Sequence, residues 1–198
     1  MVAPGQYLVS LYRYADGQLT PLSTPQPLVC KPLFQSDMRA EDRLALDGFN
    51  KQVARLARAI SAADAHRSHL ESGLPYLEQA MLSVPVMEPS WMADLSAIRI
   101  RLKELNEQLN GDALLVKYEG QSRTSLKGRT DLIIYSLWTT TAAPTGTYER
   151  AYEEARESFA AVLDDLGEVD TWVRRLETQL EEAGAPYTPG RFPAWKND

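Results

Sequence analysis

Along most of this chain the apolar residues recur at alternating spacings of four and three. Phe49, Val53, Leu56, Ile60, Ala63, Leu70, Leu74, Leu77 and Met81 keep that spacing, interrupted only where Arg67 takes a seam position. A repeat of 3.5 residues is the pattern of helices that pack knobs-into-holes, so a long first helix is expected here. Ser36 or Asp37 is placed to cap its start, Pro85 and Pro89 close it, and Gly73 with Pro75 marks a bend. A second seam runs through Trp91, Leu95, Ile98, Leu102, Leu105 and Leu109, with Ser90 as its cap and Asn110-Gly111 as its stop. Residues 112–125 show no clear period and read as a loop. A shorter helix over 126–140 turns Leu126, Ile133, Ile134, Leu137 and Trp138 inward, and 139–147 reads as a tight connection. The last seam is the longest, from Tyr148 and Tyr152 through Phe159, Leu166, Val173 and Leu180 to Ala183, ended by Gly184 and Pro186. At 1.5 Å per residue it makes a rod of roughly 55 Å. The expected fold is mainly α: an antiparallel four-helix bundle with coiled-coil-like seams.

The first 35 residues follow a different rule. Residues 6–14 alternate and are rich in Tyr, Leu and Val, Asp16-Gly17 is a hairpin turn, and 18–22 and 27–33 return as strands. Pro21, Pro25, Pro27 and Pro32 suit edge strands rather than central ones. Two or three strands bury too little to stand alone. They are expected to pack on the helices or to be the end of a β-domain upstream of Met1, and the second reading makes the chain a piece of something longer. The domain division is therefore 1–35 as hairpin and edge strand, 36–184 as helical bundle, and 185–198 as a tail. That tail is rich in proline and aromatics, with Tyr187, Phe192 and Trp195 expected along the bundle or against the strands.

Composition changes this picture little. Apolar residues at 44% and charged residues at 24% are ordinary for a globular chain. A net charge of −6 works against non-specific binding to nucleic acid or anionic lipid. Cys30 is the only cysteine, which excludes an intrachain disulfide and a thiolate metal cage. No apolar run approaches the ~20 residues that cross a bilayer, and the start carries no signal-peptide pattern.

Candidate chemistry is sparse. His66 and His69 share a helix face, with Asp64 and Glu71 nearby, but two histidines without further ligands point to seam-flanking side chains rather than to metal. The pairs Glu153-Glu154, Asp164-Asp165 and Glu181-Glu182 lie off the seam, where carboxylates solvate a helix. Lys117, Arg123, Lys127 and Arg129 gather around the long loop with Tyr118, as a possible anion or docking patch. Arg67 needs a carboxylate partner or a route to solvent, and is placed to fix helix register. No phosphate loop, nucleophile elbow or His-Glu-x-x-His motif is present. No cofactor, metal or catalytic residue is implied.

Four stretches carry a likeness: "VAPGQYLVSLYRYADGQLTPLSTPQPLVCKPL", "FNKQVARLARAISAA", "LWTTTAAPTGTYERAYEEARESFAAVL" and "EEAGAPYTPGRFPAWK". In this order they resemble the C-terminal region of bacterial sortilin-like β-propeller proteins with neuraminidase-type (BNR) repeats, often called glycosyl hydrolases. The resemblance implies a propeller upstream, a β-segment and then helices, with an exported parent and ligand-binding residues on the propeller. It leads to a non-catalytic accessory module whose partner is the propeller of the same polypeptide. Two alternatives stand beside it: helices that complete the propeller's sugar-binding site, and a coiled coil that pairs between copies.

Overall fold

The computed structural model describes residues 4–31, 39–119, 125–138 and 142–195. Helix accounts for about 69% of the described residues. Strands β1 (Gly5–Val9), β2 (Tyr12–Ala15), β3 (Gln18–Pro21) and β4 (Gln26–Cys30) come first. They are followed by α1 (Ala40–Ser83), α2 (Pro89–Asn110), α3 (Ala113–Glu119), α4 (Leu126–Trp138) and α5 (Gly146–Glu182).

The seams bury as their spacing requires. Every apolar seam residue named above for the first helix is buried, as are all six named for the second. In α5 the buried line is Ala155, Phe159, Val162, Leu166, Val169, Val173, Leu176 and Leu180. These faces meet in one cluster shared by α1, α2 and α5, with Leu126 of α4. A second cluster joins Phe49 and Val53 of α1 to Ile133 and Leu137 of α4, and Phe49 meets Tyr152 edge-on at 5.7 Å. Each fully buried leucine contributes about 1.5–3 kcal/mol, so the core rests on these stripes.

Several boundaries differ from expectation. Ser36 and Asp37 lie outside the described residues, and the residue capping α1 is Arg39, without a side-chain cap bond. Pro75 is contained within α1, which continues to Ser83 through it and through Gly73. The cap of α2 is Glu88 rather than Ser90, because Pro89 takes the first helical position, where its fixed φ fits and no N–H is needed. Residues 113–119 are helical rather than looped: Asp112 Oδ1 accepts hydrogen bonds from the Leu114 and Leu115 amides, a cap that needs no apolar period. In α4 the inward set is Leu126, Thr130, Ile133 and Leu137. Ile134 and Trp138 are exposed instead, Trp138 by 67%, since neither lies in line with that stripe. The stops were legible: Gly111 and Gly184 both take positive φ, and the Ala185 amide reaches back to the Leu180 carbonyl at 2.9 Å.

The strands form an antiparallel ribbon. Ala15 pairs with Gln18 across Asp16-Gly17, whose φ angles of 52° and 75° give the turn that matches strand twist. Farther along, Gly5 to Val9 pair with Cys30 to Gln26. Between the two ladders, residues 22–25 oppose only residues 10 and 11, a bulge with two extra residues on the β3–β4 side.

Candidate docking surface

Of the four basic residues singled out in the sequence, the three that are described each have neighbours of their own. Arg129 is neutralised by Glu154 across the α4–α5 contact. Lys117 sits over the ring of its neighbour Tyr118 at 5.5 Å. Lys127 is exposed within electrostatic range of Asp64, and Arg123 lies outside the described residues. Arg129 does line a cleft of about 530 Å³ between α2, α4 and α5, but Glu104, Glu107 and Asp112 line it too, so the cleft is acidic.

Arg67 is satisfied within its own helix. It is 5% exposed, donates to Asp64 at 3.1 Å and Glu71 at 2.6 Å, and Asp64 in turn accepts from Asn110 at the end of α2. Burial pushes the Asp64 carboxyl up, yet the bonds from Asn110 and Arg67 outweigh it and hold it below the ordinary value. His66 pairs with Asp170 of α5 at 3.0 Å, whereas His69 is exposed, so the two histidines do not share a ligand geometry. Arg174 and, more weakly, His66 keep Asp170 below the ordinary carboxyl value against the opposing effect of burial. Among the described residues no group of three or more His, Cys, Asp and Glu is placed to hold a metal. Other carboxylates meet cations: Glu78 with Arg99, Asp165 with Arg101, Glu153 with Arg156. Trp172 Nε1 is buried without a partner among the described residues, a cost of about 1–3 kcal/mol offset by packing of its ring on the core.

The uncovered apolar surface lies elsewhere. Ten large apolar side chains of the ribbon are exposed, among them Leu8, Val9, Leu11, Tyr12, Tyr14 and Leu19. Among the described elements the strands pair only with each other, and none packs against a helix. The Tyr7 phenol is within electrostatic range of Lys51, which lies between Phe49 and Val53 in α1. Those two residues hold α4, whose outer face exposes Leu132, Tyr135 and Trp138.

The tail forms a second exposed feature, and of its aromatics expected along the bundle or against the strands, Phe192 and Trp195 are covered by neither. Arg191 bonds Glu181 through two nitrogens, at 2.6 and 2.8 Å, and Thr188 bonds Glu177 at 3.1 Å. The Tyr187 hydroxyl donates to the Ala194 carbonyl and accepts from its amide, both at 3.1 Å. The chain is clasped onto α5 around a Pro189-Gly190 turn with Gly190 at φ 93°, which leaves Phe192 95% and Trp195 87% exposed. Sequence reasoning missed this clasp, although Glu177 and Glu181, four apart on one helix face, were a signal for a returning cation.

No helix among the described residues is long and apolar enough to cross a membrane. No family model matches this chain, and neither the curated proteins nor the solved structures include a significant match.

Proposed function

We propose that α1, α2, α4 and α5 form an antiparallel bundle that serves as a docking and bracing module with no reaction of its own. In this reading it is the C-terminal part of a larger protein of the sortilin-like, BNR-repeat propeller kind, and its partner is the β-domain upstream in the same polypeptide. The observation that carries the reading is the ribbon: ten large apolar side chains in paired strands, uncovered on both faces. A two-stranded ribbon of that composition is marginal by itself in water and calls for another layer. Further support comes from the helices, whose apolar stripes are already committed to the core. The contacts of α1 with α2, α4 and α5, joined by short connections, fit an up-and-down arrangement. Nucleic acid is not a partner in this account, because the charge is −6 and Arg129 is already paired.

The test extends the polypeptide through the coding sequence preceding Met1 and compares it with the 198-residue chain in glycosidase assays and thermal melts. The expected result is a β-domain whose melting temperature falls when the ribbon is deleted, with any glycoside hydrolysis confined to that domain. Hydrolysis by the 198-residue chain alone would overturn the proposal.

A further inference from the structure

The two edges of the ribbon are not equivalent. Along β3 and β4 lie Pro21 and Pro27, with Pro25 in the bulge between them. Proline is tolerated in a paired strand where its missing N–H faces outward, so this edge offers an incoming strand a broken row of donors. The other edge, β1 with β2, has no proline from Gly5 to Ala15 and one charge, Arg13. Edges that natural proteins protect carry proline or charge. Among the described residues, only one side of this ribbon is protected.

We propose that the β1–β2 edge pairs with the same edge of a second copy of this chain, antiparallel about a two-fold axis near Ser10. Pairing centred there sets Leu8 opposite the partner's Tyr12 and Val9 opposite the partner's Leu11, apolar on apolar. Arg13 then faces the partner's Tyr7 rather than another cation. The charge distribution selects the ribbon as the meeting point. Residues 1–31 hold Arg13 and Lys31 against Asp16, so the excess of acid belongs to the rest of the chain. Two acidic helical bodies repel each other, and contact through the ribbons keeps them apart. A closed, isologous pair also leaves no unprotected edge for further growth, since the outer edges of the joined sheet are the proline-bearing ones. Eleven residues of edge with their flanking side chains bury on the order of 500 Å² per copy, the low end of specific interfaces, so the dimer depends on concentration. Edge and face are separate surfaces, and this pairing holds whatever covers the faces.

The experiment is sedimentation of the 198-residue protein from low micromolar to near-millimolar concentration, with cross-linking as a second readout. The mass is expected to rise from 22.2 kDa towards twice that value. A Val9→Lys/Leu11→Lys variant, which sets like charges against each other across the two-fold axis, is expected to stay monomeric with unchanged helical circular dichroism. On a Cys30→Ser background, Ser10→Cys is expected to form a disulfide dimer in air, and Ser23→Cys, on the proline side, is not. A wild-type chain monomeric throughout would overturn the proposal. So would a double-lysine variant that dimerises like the wild type, or cross-linking through Cys at 23 as efficient as at 10.

Discussion

Arg67 occupies a position that the seam reserves for an apolar residue, and its neighbours are arranged around that fact. Asp64 and Glu71 on its own helix take its charge, and Asn110 ties Asp64 to the end of α2. A buried ion pair is weak evidence of stability but expensive to break. Asp64→Ala is therefore expected to destabilise the fold by ~2–3 kcal/mol, below the full cost of an orphaned charge because Glu71 remains. Arg67→Met, which restores the stripe while Asn110 still bonds Asp64, is expected to cost less than Asp64→Ala, and urea unfolding distinguishes the two. Asp64 and Asp170 also set an acid limit. Both carboxyls are held below their ordinary 3.8 in the folded chain, so the stability they contribute is present above that value. It is lost as pH falls through the depressed folded values. The urea midpoint should drop between pH 5 and pH 2, and Asp170→Asn should flatten part of that drop; an unchanged profile would refute the assignment. Arg67's need for a partner was legible in the sequence, but Asn110 was not, since it lies 46 positions from Asp64 and only folding joins them.

The helices differ in how openly their sequences declare them. In α1, α2 and α5 the stripe is narrow and sustained, so period alone identifies the buried face. In α4 the run "LIIYSLW" is apolar on both sides, and period cannot choose between Ile133 with Leu137 and Ile134 with Trp138. The first pair is buried because it continues the line from Leu126 through Thr130. The seven residues of α3 were invisible for another reason: a cap at Asp112, rather than a stripe, starts them. Burial predicts the energetics. Leu102→Ala, fully enclosed in α2, should cost ~2–5 kcal/mol, whereas Leu132→Ala on the outer face of α4 should stay within about 0.5 kcal/mol. A cost from Leu132→Ala as large as that from Leu102→Ala in chemical denaturation would mean that the outer face of α4 is wrongly assigned.

Seen as a whole, the molecule joins a well-buried helical core to an uncovered β-ribbon and a clasped aromatic tail after α5. The hairpin itself was readable, down to the two residues of its turn, because Asp-Gly between alternating strands admits few other conformations. That the helices leave its apolar faces uncovered was not, since a strand pattern specifies that a partner layer is needed and not where that layer comes from. The account holds that the core is complete without the ribbon and that the ribbon is there to meet something else. Residue-resolved hydrogen exchange on the dilute 198-residue chain tests this most directly. The account predicts that seam amides such as those of Ile60, Leu102 and Leu166 open only with global unfolding, while amides of β1 and β2 exchange orders of magnitude faster. Ribbon amides as slow as the seams in the dilute monomer would contradict it, because the ribbon would then already be part of a finished core.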